Sequence, residues 1–118
     1  MPSIETNTGT ITQINVFTVK PEDQQAMIDH LIQAAAVARL VPGWRSISIH
    51  KSLDGRSVVN YAQSESMEAQ GRVYQALSEK GMIERGHQLG EAHPGLYEAV
   101  FTLENALENA PENAPEDS

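Results

Sequence analysis

The sequence contains no cysteine, so it can form neither a disulfide nor a thiolate metal site, and it has no cysteine nucleophile. Basic residues are also scarce. Eight lysines and arginines stand against sixteen aspartates and glutamates, which gives a formal net charge of −8. There is no basic stripe of the kind that binds the phosphates of nucleic acids. We therefore expect no nucleic-acid partner.

Long apolar runs are missing as well. No stretch approaches the ~18 consecutive apolar residues of a membrane-spanning helix. Residues 1–10 have neither the basic start nor the apolar centre of a secretory signal. These absences predict a cytoplasmic protein without membrane association. The 118 residues fit one domain, whose modest core would gain from a partner subunit.

The elements that are present alternate between strand and helix patterns. Strands are predicted over residues 11–19, 44–52, 57–64 and 96–103, because apolar and β-branched residues recur there between turn signals. One helix is expected to begin near Pro21 and to end at residues 41–43. A second helix begins after a Ser66 cap and ends at Gly81, and residues 82–89 form a further short helix.

This order predicts an α+β, ferredoxin-like β-α-β-β-α-β fold with a four-stranded antiparallel sheet. We place a loose N-terminus at residues 1–10, the folded domain at 11–104 and a disordered acidic tail at 105–118. The tail has two prolines and no aromatic residue, so it has little to bury.

The second and third predicted strands, residues 44–52 and 57–64, are expected to form a hairpin. Residues 53–55 (Leu-Asp-Gly) suit a three-residue loop with Gly55 in the left-handed conformation. Counting back from this loop gives two faces. One face is apolar and carries Ile47, Ile49, Val59 and Tyr61. The other face is polar, with Ser48 opposite Asn60, Trp44 opposite Ser64, and His50 diagonally beside Asn60. Since both sides of the sheet carry apolar area, a homodimer built sheet against sheet is predicted.

Several segments together resemble one protein family. They are PGW at residues 42–44, SISIH at 46–50, SLDG at 52–55 and VVNYAQ at 58–63, with INVFTV at 14–19 and HPGLYE at 93–98. The chain is similar to the antibiotic biosynthesis monooxygenase family over about residues 10–104. The resemblance implies a dimeric α+β barrel with a pocket between the sheet and the helices. It also implies cofactor-free oxidation of phenols or anthrones of aromatic polyketides to quinones.

The resemblance points to two of the candidate site residues, and the predicted register and the residue types point to the others. In the quinone-forming members, an asparagine matching Asn60 and a histidine matching His50 line the pocket, and a tryptophan usually stands where this chain has Ser64. We therefore predict His50 as the proton acceptor and Asn60 as a hydrogen-bond donor to developing negative charge. The predicted substrate-binding residues are Trp44, Ser48, Ser64, Tyr74 and Arg85. The resemblance implies that no cofactor is needed. No metal is expected, since the four histidines (His30, His50, His87 and His93) are scattered along the chain.

Two other functions are consistent with the same residues. The base and the amide could promote a decarboxylation, cyclisation or isomerisation through an enolate, without oxygen. Alternatively, because Ser64 replaces the usual tryptophan, the chain could bind an aromatic ligand or a protein partner without converting it. The expected partners of the oxygenase are a small aromatic substrate and dioxygen.

Overall fold

The computed structural model describes residues 2–107. Within them the chain forms four strands and three helices: β1 (Ile11–Thr18), α1 (Gln24–Ala38), β2 (Trp44–Lys51), β3 (Ser57–Ser64), α2 (Met67–Glu79), α3 (Met82–Leu89) and β4 (Glu91–Tyr97). All neighbouring strands are antiparallel, and the sheet order is β2-β3-β1-β4. The predicted ferredoxin-like α+β fold is confirmed.

The helix boundaries follow the signals in the sequence. Pro21 opens a short 3₁₀ turn that leads into α1. The Ser66 side chain caps α2, with its Oγ accepting the Ala69 N–H at 3.1 Å. Gly81 adopts φ +73° between α2 and α3, a left-handed conformation that glycine adopts at little cost. The Ser66 cap and the end of α2 at Gly81 are confirmed, whereas α1 ends at Ala38, three residues before the predicted stop at 41–43.

The core lies between the helices and one face of the sheet. Its fully buried members are Met27 from α1 and Val58 from β3, with Phe17, Val19 and Leu31 around them. Met27, Leu31, Ala34 and Ala38 recur at helical spacing along α1 and are all buried. No helix of residues 2–107 is long and apolar enough to cross a membrane.

The last strand differs from the prediction. It runs from Glu91 to Tyr97, so it starts five residues earlier than expected and ends six residues earlier. Pro94 and Gly95 lie inside the strand rather than before it. A proline is tolerated there because β4 is at the edge of the sheet and needs few N–H donors. The predicted tail falls mostly on residues 108–118, which lie outside the described part of the chain.

The register of the central hairpin is also corrected. Ile49 lies opposite Asn60 and Ser48 opposite Tyr61, one residue away from the prediction. The reason is a longer loop: Ser52 N–H donates to the carbonyl of Ser57 at 3.0 Å, which leaves four residues between them instead of three. The Ser52 Oγ stabilises this loop by accepting the N–H groups of Arg56 and Ser57.

Candidate active site

The one-residue shift decides which side chains share a face, because successive strand residues point to opposite sides of a sheet. Asn60, Ile47 and Ile49 face the helices. His50 and Ser48 lie on the helix-free face, near Val59 and Tyr61. The prediction that His50, Ser48 and Asn60 share a face is therefore wrong, and so is the prediction of one apolar set that includes both Ile49 and Val59.

A bulge brings Trp44 back to the expected position. The ladder between β2 and β3 is irregular between Trp44 and Ser46, so one extra residue is inserted in β2. Trp44 consequently pairs with Ser64, as predicted, and lies on the helix side of the sheet. The bulge therefore compensates, for this residue alone, for the longer loop at the other end of the hairpin.

A cavity of about 190 Å³ lies between the helix-facing side of the sheet and all three helices. Most of its wall is apolar, with Leu31, Ala34 and Ala38 from α1 and Val73 and Leu77 from α2. A small number of polar or aromatic side chains interrupt this wall: Gln13, Asn15, Trp44, Asn60, His30, Gln70, Tyr74 and His87. An apolar cavity with few polar groups is the usual form of a small-molecule site.

Asn60 is the polar residue of the cavity that the fold leaves unsatisfied. It lies on the central strand β3, between Ile49 of β2 and Asn15 of β1. Its Oδ1 is buried and has no hydrogen-bond partner within residues 2–107. By contrast, the Oδ1 of the neighbouring Asn15 accepts the backbone N–H of His93 at 3.1 Å. A buried, unpaired amide oxygen costs free energy unless a ligand or water supplies a donor.

His30 is the buried titratable group in the cavity wall. It projects from the core-facing side of α1 and is 8% exposed. Burial lowers its pKa below the ordinary value, a hydrogen bond to the backbone at Met82 raises it, and the positive charge of Arg85 lowers it further. The pKa shift is downward, so at neutral pH the imidazole is uncharged.

The predicted site residues are only partly brought together. Asn60, Trp44 and Tyr74 line the cavity. His50 is exposed on the opposite face of the sheet, together with Ser48. Ser64 is buried behind the wall, and its Oγ hydrogen-bonds the cavity residue Gln70 at 3.5 Å.

Arg85 lies on the exposed side of α3 and is not part of the wall. Its charge nevertheless reaches the cavity through His30, whose pKa it lowers.

Five polar residues of the wall were not among the predicted site residues: Gln13, Asn15, His30, Gln70 and His87. Asn15 carried the same signal as Asn60, a mid-strand asparagine where strand propensity is poor. His30 carried another signal, because it stands among the residues that recur on the buried side of α1.

Within residues 2–107 there is no group of three or more metal-ligating side chains.

The fold and its cavity place the chain in a defined class: a ferredoxin-like α+β domain with a mostly apolar cavity between sheet and helices. The family model of the antibiotic biosynthesis monooxygenases matches residues 10–76. The chain belongs to this family.

A curated protein is similar in sequence to part of this chain. Tetracenomycin-F1 monooxygenase of Streptomyces glaucescens is 44% identical over 64 residues, which cover 53% of this chain and 57% of that protein. The chain thus matches little more than half the length of this curated relative.

Two solved structures share the fold. One is an asparagine-to-alanine variant of SnoaB, a cofactor-independent oxygenase of Streptomyces nogalater (TM-score 0.70, 22% identity, 82% of this chain and 99% of that chain). The other is the ActVA-Orf6 monooxygenase of Streptomyces coelicolor in complex with nanaomycin D (TM-score 0.68, 24% identity, 83% of this chain and 93% of that chain).

Proposed function

We propose that this protein is a cofactor-independent monooxygenase that oxidises a phenolic, polycyclic aromatic substrate to a quinone. The observation that carries the proposal is the unpaired Asn60 Oδ1 in the wall of an apolar cavity. Family membership and the named activities of the relatives support it.

The chemistry explains why a cavity with few polar groups would suffice. An electron-rich phenolate can itself transfer an electron to dioxygen, so the protein needs to favour the phenolate, exclude water and hold the intermediate. In the overall reaction, one oxygen atom of dioxygen becomes the new carbonyl of the quinone and the other leaves as water. The substrate loses its hydroxyl hydrogen and the hydrogen on the oxidised carbon.

Asn60 would bind the oxygen atoms of the reacting system. Its side-chain oxygen is free to accept a hydrogen bond from a substrate hydroxyl. Because the amide oxygen and nitrogen are similar in shape, a half-turn of the amide presents an N–H donor at the same place. Such a donor stabilises negative charge that develops on the substrate or on a peroxide.

Trp44 and Tyr74 would bind the aromatic rings. Trp44 belongs to β2 and Tyr74 to α2, so one lines the cavity from the sheet and the other from a helix. Flat side chains on two sides of an apolar space suit a planar polycyclic ligand, since offset stacking adds to the burial of apolar surface.

A homodimer is the expected assembly. On the helix-free face, Ile14 pairs with Tyr61 and Val16 with Val59 across the two central strands, and all four are only partly buried. Beyond β4, the large apolar side chains of Val100, Phe101 and Leu103 are each at least 74% exposed. A second copy of the chain would cover these surfaces.

The function is tested with purified protein, a dihydroxynaphthalene or an anthrone, and measured oxygen uptake. We expect quinone formation above the uncatalysed rate, with oxygen consumed in equal amount. Asn60→Ala should reduce turnover by roughly 100-fold, the usual effect of removing one oxyanion donor. His50→Ala, a substitution on the opposite side of the sheet, should leave it unchanged.

Three results would contradict the proposal in different ways. Conversion that continues without oxygen would favour a cyclase, decarboxylase or isomerase. Tight binding of the aromatic compound without conversion would favour a ligand-binding protein. Wild-type turnover that survives Asn60→Ala would remove Asn60 from the site.

A further inference from the structure

A buried histidine stands where the fold has no need of a polar side chain. His30 lies on the core-facing side of α1, next to Leu31 and one helical turn from Met27 and Ala34, which are all apolar and buried. Histidine is often half-exposed in proteins, and its burial in an apolar wall costs free energy unless its nitrogens are used. His30 also lines the cavity that contains Asn60.

The third helix holds the imidazole in place. A Cβ atom at Gly86 would lie 3.4 Å from His30 Nε2, so the ring packs directly against the backbone of α3 at this residue. Gly86 is buried in the middle of the helix, where glycine is unfavourable by about 1 kcal/mol relative to alanine. The hydrogen bond to the Met82 backbone comes from the same turn of α3. A neutral imidazole that donates one N–H in this way keeps its other nitrogen as an acceptor.

The surroundings favour the neutral form of the ring, which is the form that can accept a proton. From α3, Arg85 and His87 lie near it, and Tyr74 of α2 lines the same cavity. The amide side chains that line the cavity from the sheet are uncharged: Gln13, Asn15 and Asn60. Among the described residues that line the cavity there is no carboxylate to hold His30 in the protonated form.

We propose that His30 is the catalytic base of this cavity, which accepts the hydroxyl proton of the phenolic substrate. The inference rests on the proposed function and replaces the role that the sequence gave to His50. It assigns the acid–base chemistry to α1 and α3, and the binding of oxygen atoms to Asn60 on the sheet.

The proposed step balances without any further reagent. The O–H bond of the substrate breaks, and its proton moves to His30. The phenolate transfers one electron to dioxygen, and the two radicals combine to form a C–O bond. His30 returns its proton to the terminal peroxide oxygen. The carbon that carries the hydroperoxide then loses its hydrogen as a proton, and the electrons of this C–H bond form the new C=O bond. The O–O bond breaks, and the leaving hydroxide combines with the proton to give water beside the quinone.

The activity test compares His30→Gln with His50→Gln, two histidine-to-glutamine changes on opposite sides of the sheet. We expect His30→Gln to lower kcat/KM by about 100-fold, within the range for loss of a general base. His50→Gln should match the wild type.

The wild-type rate should decline in acid as His30 becomes protonated, with a midpoint below the ordinary histidine pKa of about 6.5. This acidic decline should be absent from the residual activity of His30→Gln.

A second readout does not depend on turnover. The probe is 1,2-dihydroxyanthraquinone, whose colour reports ionisation of its hydroxyl. Bound to the wild type or to His50→Gln, it should ionise at a pH at least one unit lower than in free solution. Bound to His30→Gln, it should ionise at or above the free value. Melting temperatures of the three proteins show whether each one folds.

The outcomes separate this inference from the proposed function. If the wild type forms quinone and His30→Gln retains both its rate and its acidic decline, His30 is not the base, although the oxygenase proposal stands. If the wild type forms no quinone, the oxygenase proposal fails, and the probe still decides the role of His30. A wild type that leaves the ionisation of the probe unchanged overturns the inference.

Discussion

At the scale of single residues, two neighbouring asparagines differ in whether the fold supplies a hydrogen-bond partner for the side-chain oxygen. Asn15 and Asn60 are directly opposite each other in β1 and β3. Asn15 bonds the backbone of the edge strand, whereas the side-chain oxygen of Asn60 has no partner within residues 2–107. The two side chains therefore contribute differently to stability although they line the same cavity.

Replacing each asparagine by alanine should separate these contributions. Asn15→Ala removes a hydrogen bond and should destabilise the protein by about 1 kcal/mol. Asn60→Ala removes a buried, unpaired oxygen and should leave the ligand-free protein at least as stable as the wild type. Urea denaturation of both variants measures the difference. A larger loss of stability for Asn60→Ala than for Asn15→Ala would show that the fold itself uses the Asn60 amide.

Two histidines, His30 and His50, differ in whether they line the cavity. Sequence similarity pointed to His50, which the register places on the helix-free face of the sheet. Helical spacing alone places His30 on the buried stripe of α1, but it does not show that a cavity opens beside it. At the cavity, the imidazole packs against α3 at Gly86, which is a contact between segments far apart in the sequence.

At the scale of elements, the loop between α1 and β2 fixes the position of Trp44. Gly43 has φ +89°, and a Cβ atom there would lie 2.7 Å from the Cβ of Ala69 in the first turn of α2. The Gly43 carbonyl also accepts the N–H of Glu65 at 2.8 Å. This close approach places the start of β2 against the start of α2 and leaves Trp44 at the cavity.

Gly43→Ala should therefore destabilise the protein more than Gly81→Ala does. Both glycines have a left-handed φ, so both substitutions carry a cost of about 1–2 kcal/mol. Only Gly43 adds a clash, since nothing lies within 4 Å of a Cβ atom at Gly81. Overpacking of this kind costs roughly 1–3 kcal/mol more. Thermal unfolding of the two variants provides the comparison, and equal losses would mean that the α2 contact adjusts freely.

The central hairpin shows why an element can be predicted correctly while its faces are not. Both strands and the turn signal at residues 53–55 were correct, yet the loop has one residue more than expected. The side chain of Ser52 closes this longer loop by bonding Arg56 and Ser57. A local turn motif does not specify such a bond uniquely. A shift of one residue in the register moves every side chain of the strand to the other face of the sheet.

At the scale of the whole molecule, the sheet separates two different surfaces. The helix side contains the core and the cavity. The other side presents Ile14, Val16, Val59 and Tyr61, partly buried and flanked by polar residues. For a chain of this size, covering such a surface with a second copy adds buried apolar area that one domain lacks.

A charge in the centre of this surface should therefore separate the subunits. We expect the wild type to sediment as a dimer and Val16→Asp as a monomer, because a buried, unpaired carboxylate is costly at an interface. Thr18→Asp is the matched control on the same strand and face, at an exposed position, and should remain dimeric. Analytical ultracentrifugation measures all three. A monomeric wild type, or a dimeric Val16→Asp, would contradict the proposed assembly.

Four features follow directly from the amino-acid sequence: the order of the elements, the Ser66 cap, the buried stripe of α1 and the family. These follow from local periodicity, from capping chemistry and from residues adjacent in the chain. Three other features became visible only in the folded chain. Asn60 and His30 line the cavity, whereas His50 lies on the other face of the sheet. The physical reason is that these facts depend on strand register and on the contact between α1 and α3. Both are set by hydrogen bonds and packing between distant segments, where one residue of register changes the face of a strand.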